Sequence, residues 1–345
     1  MPMTLPAPWQ CLAPDAACDD QSPFPTILHF GTPERERHAA ADHLPLFSPL
    51  LHLAALEISG ADAQTFLQGQ CTQDVSTLTP GKAQFSAWCS PKGRMLANFI
   101  LFPMAENVYR LILSADLADF ALKRLSMFIL RSRVRIVAEP VMFLGLSGTI
   151  PAIAEIAFPK APLEVTQADG LCAIRLPHPD LRLILCLPPE RLADLWPSLS
   201  AHALPVGQPV WHWLDIRAGL PWITEATREE FVPQMADFEK LGVSFRKGCY
   251  VGQEVVARAQ HLGKVKRHLY RLKSATPLQP GEALFSPNCA EQPNQTAGKV
   301  VTAAPDPTGG HAALAVLLEQ GAASLRQGGI EGTPIEAEPV TPPET

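Results

Sequence analysis

The sequence predicts an α+β fold: two sandwich units in tandem, followed by a small C-terminal β-barrel. Three observations carry that expectation. The order strand–helix–strand–strand–helix reads once between residues 50 and 137 and again between 143 and 199. From about 264 onward the texture changes to short apolar runs separated by Gly and Pro, the pattern of an all-β barrel. The chain has 345 residues, enough for two or three domains and a sizeable core.

In the first unit, expected over 46–140, Leu51 to Ile58 reads as a strand that stops at Ser59-Gly60. Ala61 to Thr72 then places Phe66 and Leu67 on one helical stripe. Gln84 to Cys89 and Met95 to Phe102 are extended runs joined by the turn Ser90-Pro91-Lys92-Gly93. Val108 to Leu113 is a further strand. Ser114 is placed to cap a helix with the stripe Leu117, Phe120, Leu125 and Phe128. Arg131, Arg133 and Arg135 alternate with Val134 and Ile136, a strand with one basic face.

The second unit, expected over 141–263, repeats the order. Its strands are Phe143 to Leu146, Cys172 to Leu176 and Leu181 to Leu187; its helices are Pro151 to Phe158 and Pro188 to Leu199. The barrel, expected over 264–330, has strands at Leu269 to Leu272, Ala283 to Phe285, Gly298 to Thr302 and Ala313 to Leu318. Residues 1–45 read as a Pro-rich tail and lead-in. Residues 331–345, with four Glu, four Pro and no base, read as a disordered acidic tail.

Composition narrows the function. A net charge of −6 argues against a surface that coats nucleic acid, so any polyanion contact must be a local patch. The eight cysteines, at 11, 18, 71, 89, 172, 186, 249 and 289, form no C-x-x-C, which disfavours a zinc ribbon, a thioredoxin-type motif and a self-held cluster. Scattered thiols read as reduced cysteines of a cytosolic protein. The first 25 residues carry six prolines and no Lys or Arg, unlike a signal peptide, and the uncharged apolar stretch 141–154 is too short for a bilayer span. A cytoplasmic protein without a membrane segment is expected.

The most informative stretch is 211–263, with Lys247-Gly248-Cys249-Tyr250-Val251-Gly252-Gln253-Glu254 at its centre. Glycines flanking a Cys-Tyr pair imply a tight turn, and Val255, Val256 and Ala259 give a short helical stripe that Gly252 is placed to cap. A thiol ahead of a helix N-terminus and beside Arg246 and Lys247 sits in positive potential, which favours thiolate. A buried, inert cysteine is the plainer alternative.

This motif, preceded by F-V-P-Q and D-I-R-A-G-L-P-W-I and followed by V-V-A-R, resembles the signature of the folate-binding YgfZ family, relatives of the glycine-cleavage T-protein, the aminomethyltransferase. Ser59-Gly60-Ala61-Asp62-Ala63, Pro91-Lys92-Gly93-Arg94 and Ala297 to Thr302 support it, and the resemblance runs roughly from 45 to 330. It implies a three-domain cloverleaf around a central hole that receives tetrahydrofolate or a one-carbon derivative. It further implies a role in assembly or repair of iron–sulfur clusters, and through radical iron–sulfur enzymes in tRNA modification. Iron–sulfur enzymes or assembly factors would be the partners.

Carried over residue by residue, the resemblance implies folate contacts at Asn98, Tyr109, Leu111, Arg217, Lys247, Glu254 and Arg258, with Asn98, Tyr109 and Arg217 converging on one cavity. It also departs from the T-protein. Asn98 stands where that enzyme has an acid within G-G-x-x-D-D, and Arg217 where it has the glutamate of E-A-G-L. An amide can bond a pterin but cannot carry the charge of a carboxylate. A T-protein-type aminomethyltransferase or demethylase is therefore the alternative, with glycine cleavage disfavoured.

Remaining features read less sharply. Arg258 to Lys273 holds Arg258, Lys264, Lys266, Arg267, Arg271 and Lys273 with no acid: a solvated barrel edge, or an anion site for a folate tail or RNA. Tyr270 stands alone there, which makes direct RNA binding the weaker reading. Glu254 and Arg258 are spaced to pair on a helix, with Arg258 also placed to line the hole. His43, His52, His202 and His212 read as surface or core fillers rather than metal ligands, and Trp211, Trp213 and Trp222 as core.

Overall fold

The computed structural model describes residues 7–12, 14, 16–19, 25–149, 153, 156–261, 263, 265–289, 296–340 and 343. The predicted architecture is present: two α+β units, then a barrel. The first unit is a five-stranded antiparallel sheet in the order Gln84–Cys89, Met95–Ala105, Val108–Ser114, Leu53–Ser59, Arg135–Glu139. Helices Ala63–Gln70 and Ala118–Ser126 belong to the same unit. Phe128 falls beyond the second helix and is partly exposed, and Ser114 bonds Asp116 rather than capping the helix.

The second sheet has six strands, in the order Val165–Ala168, Leu171–Arg175, Arg182–Leu187, Met142–Ser147, Leu46–Pro49, Leu204–Pro205. Leu46–Pro49 thus belongs to the second unit, not the first, because Phe47 lies opposite Leu146. A short apolar run carries no mark of which sheet will pair with it. Half of the expected helix over Pro151 to Phe158 lies outside the described residues, and 153 and 156–158 are irregular.

The barrel sheet has seven strands, in the order Thr333–Pro334, Arg326–Gln327, Ala283–Phe285, Gly298–Pro305, His311–Leu318, Arg267–Ser274, Glu336–Pro339. Its two edge strands adjoin in sequence, so the sheet is nearly closed. The acidic segment expected to be a disordered tail supplies both edges: Glu338 faces Arg271 in register, and their side chains form an ion pair. Opposite charges on facing strands outweigh a composition that alone favours coil.

The Pro-rich lead-in is also ordered in part. Ala17–Asp19 and Thr26–His29 form a hairpin, and Pro33–Ala41 is a helix. Trp9 is buried against Trp196, whose ring also meets Phe47.

Helix Gln208–Ala218 joins the units and the barrel. It has no polar face: Val210, Trp211, Trp213, Leu214, Asp215, Ile216 and Ala218 are all buried, so the sequence shows no amphipathic period there. It ends where Gly219 turns left-handed at φ 65° and Leu220 N–H donates back to the Asp215 carbonyl at 3.0 Å. No helix among the described residues is long and apolar enough to cross a membrane.

Candidate functional site: a pinned thiol loop and a central cavity

The loop 247–252 is fastened at both ends. Lys247 Nζ donates to the carbonyls of Gln68 (2.7 Å), Cys71 (2.6 Å) and Gln73 (3.1 Å), which uses all three ammonium hydrogens. These carbonyls lie at and just beyond the end of helix Ala63–Gln70, so the lysine neutralises a helix C-terminus while it staples the loop. Burial lowers its pKa, opposed by Cys71 and Asp74. Its ammonium also sits 5.3 Å from the Tyr250 ring centre.

At the other end Gly252 has φ +84°, and a Cβ there would come within 2.4 Å of the Ser90 carbonyl and 3.0 Å of Gly93 Cα. The Pro91-Lys92-Gly93 turn and the cysteine motif therefore meet backbone to backbone. Both were singled out in the sequence, and the structure brings them together.

Between these anchors Gly248 faces open space and Cys249 is exposed. Helix Gln253–His261 follows directly. Glu254 and Arg258 are exposed on it, with no ion pair between them. The other thiols differ. Cys71, Cys89, Cys172, Cys186 and Cys289 are buried, and burial pushes Cys71 and Cys89 up to about 12. Cys18 is exposed, and the Cys11 side chain lies outside the described residues.

A cavity of about 540 Å³ opens between the first unit, helix Gln208–Ala218 and the barrel. The first unit supplies His52, Ser114 and Asp116; the linking helix supplies His212; the loop after it supplies Trp222; the barrel supplies 301–305 and His311. A mainly apolar wall with a few polar groups suits a planar ring of pterin size. His52 and His212 meet edge to face at 4.6 Å between ring centres. Burial lowers both pKa values, that of His212 to about 4, so the pair is neutral near pH 7. Asp116 accepts hydrogen bonds from Ser114 Oγ at 2.7 Å and Glu225 N at 3.0 Å.

The residues expected to contact folate do not converge on this cavity. Asn98 is buried, and both ends of its amide are used: Nδ2 donates to the Pro221 carbonyl and Oδ1 accepts from Ile223 N, each at 2.7 Å. It sets the segment that presents Trp222, one layer behind the wall. Tyr109 and Leu111 are on the opposite face of the sheet. Leu101 faces Leu111 and Ile100 faces Ile112, so strand alternation puts Asn98 with the even-numbered residues. Arg217 caps a different depression, and Lys247 and Arg258 lie outside the cavity wall. Arg271 is likewise spoken for, donating to the carbonyls of Ile216 and Arg217, and Lys264 lies outside the described residues.

His52, Ser114, Asp116, His212 and Trp222 are the wall residues that sequence reasoning missed or read as packing. Only the closeness of Trp222 to the D-I-R-A-G-L stretch hinted at a role.

Comparison with known proteins agrees with this architecture. A family model described as the GCVT N-terminal domain matches residues 27–152. The chain is 36% identical over 247 residues to the tRNA-modifying protein YgfZ of Klebsiella pneumoniae (strain 342), covering 70% of this chain and 75% of the relative. It is 35% identical over 240 residues to the protein of that name from Pectobacterium carotovorum subsp. carotovorum (strain PC1), covering 68% and 72%. The glycine cleavage system aminomethyltransferase T from Bartonella henselae superposes with a TM-score of 0.80 over 99% of this chain and 98% of that one, at 17% identity, a likeness of fold. The chain belongs to the YgfZ family and is built on the aminomethyltransferase T fold.

Proposed function

We propose that the protein binds a reduced folate in the central cavity and, through Cys249, assists assembly or repair of iron–sulfur clusters on client enzymes. Its relatives carry the name tRNA-modifying protein, and support of radical iron–sulfur enzymes that modify tRNA would connect the two. The observation that carries the reading is the pinned loop: a small thiol held out to solvent between two glycines, on a backbone fixed by a buried lysine. A packing cysteine has no use for such a mount.

A four-iron cluster needs four ligands, so one thiol would act with donors from a client, a second copy or a small thiol. A bound tetrahydrofolate would supply the one-carbon chemistry of its ring nitrogens. The chain's part is to sandwich the ring by Trp222, offer the neutral His52–His212 pair and the Ser114 hydroxyl as polar contacts, and exclude water with the barrel wall. The T-protein-type transferase reading is weakened because Asn98 holds backbone and Asp116 has both oxygens occupied by the chain.

The test has two arms. Cells lacking the protein should lose activity of radical iron–sulfur enzymes and their tRNA products. The purified protein should bind tetrahydrofolate, and Trp222→Ala should weaken that binding by about tenfold. Undiminished enzymes in the deletion strain would refute the cluster role; unchanged folate affinity in Trp222→Ala would refute the cavity assignment.

A further inference from the structure

A second, smaller pocket lies in the second unit, away from both the cavity and the cysteine loop. Its volume is about 220 Å³, and its lining includes His43, Ser147, His178, Asp180, Arg182 and Arg217. Nothing in the proposed function uses it.

Its chemistry is unusual for a structural gap. Arg182 is almost wholly buried; it donates to Asp215 at 2.6 Å and to the Leu214 carbonyl at 3.3 Å, and it stacks on Trp211 at 4.4 Å. Its Nε hydrogen has no partner among the described residues. Such a buried donor is costly unless something completes it. Arg217 lies over Trp213 at 5.0 Å and pairs with no carboxylate among the described residues. Two guanidinium groups thus bound one small space, and Asp215 offsets only the inner one.

The rim is shaped by strained backbone. His43 adopts φ 55°, uncommon for a bulky residue, and Gly148 adopts φ +87°, where a Cβ would strike the Leu44 carbonyl at 2.5 Å. This corner places His43 beside Asp180, Nδ1 to Oδ2 at 3.1 Å, with His178 3.7 Å from the same oxygen. Burial and then Arg182 lower the His178 pKa, opposed by Asp180.

We propose that this pocket binds a compact oxyanion that carries a proton, the chemistry of hydrogen phosphate or a phosphomonoester. The guanidinium groups supply charge and donors for the oxyanion. Asp180 supplies an acceptor, which an oxyanion satisfies only by bringing a hydrogen of its own. A fully ionised anion of similar size, such as sulfate, meets repulsion at that point.

Isothermal titration of the full-length protein with inorganic phosphate and with sulfate, at matched ionic strength, tests this. Phosphate should bind at least tenfold more tightly than sulfate. Arg217→Gln should weaken phosphate by tenfold or more, and Asp180→Asn should raise sulfate affinity toward that of phosphate. Because Arg217 does not line the central cavity, Arg217→Gln should leave tetrahydrofolate affinity unchanged. His43→Gln, at an exposed rim position, provides a second reading of phosphate loss if Arg217→Gln fails to fold. Absence of phosphate binding at millimolar concentration, equal affinity for the two anions, or phosphate binding unaltered in the Arg217 or His43 variant would overturn the proposal.

Discussion

The surroundings of Cys249 and of the Cys172–Cys186 pair each hold a strong cation, and the two arrangements are opposites. At the loop, Cys249 neighbours Lys247 in sequence, but the lysine spends its hydrogens on carbonyls 68, 71 and 73 and leaves the thiol to solvent. Between the two sheets, Cys172 and Cys186 face one another in register, and Arg110 Nη1 donates to their sulfurs at 3.4 and 3.1 Å. Arg110 also forms a two-pronged ion pair with Glu139. Burial nonetheless raises both of those thiols, more than Arg110 lowers them. The difference teaches that access, not the nearness of a cation, separates these thiols, and that the cation near Cys249 builds the mount.

The largest expected effect tests that contrast. At pH 7.5, iodoacetamide should modify Cys249 about 100-fold faster than Cys71, Cys89, Cys172, Cys186 or Cys289, because the buried thiols must wait for local opening. Peptide mapping over time reads the rates. Comparable labelling of Cys172 or Cys186 would erase the contrast.

Legibility in the sequence divides along similar lines. The loop was readable because its fold is written in contiguous residues: glycines at 248 and 252, a lysine, and a turn-grade partner at 90–93. The role of Lys247 was not, since the carbonyls it serves lie far back in the chain and backbone acceptors leave no sequence mark. The tandem sheets were readable from alternation, whereas Leu46–Pro49 and helix Gln208–Ala218 were missed because a wholly buried element shows no period. The cavity was the least legible part. Its wall draws residues from Asp19 to His311, and register, not residue type, decides that Tyr109 and Leu111 face away.

The next effects concern stability. Lys247→Met should cost about 3 kcal/mol, because it leaves buried carbonyls without their shared donor. Denaturant unfolding measures it. A loss below about 0.5 kcal/mol would mean the lysine is no staple.

Acid should act through the histidine pair. In the folded protein His52 and His212 have lowered pKa values, so below about pH 6.5 the unfolded chain binds protons that the folded one refuses. The stability they permit is therefore full above pH 6.5 and falls toward pH 4. For His212, which keeps part of its surface open to the cavity, the loss is at most about 3 kcal/mol. Melting temperature against pH should flatten in His212→Gln; an unchanged slope would place the acid sensitivity elsewhere.

The smallest expected physical effect belongs to the residue at the centre of the proposed function. Cys249→Ala should change stability by no more than about 1 kcal/mol, since the exposed side chain fills no core. The decisive measurement is therefore re-expression of Cys249→Ala, at wild-type abundance, in cells that lack the protein, with radical iron–sulfur enzyme activity and modified tRNA as readouts. The account predicts a stable, folate-binding protein that restores neither. Full restoration by Cys249→Ala would contradict it and make the thiol a bystander on its own loop.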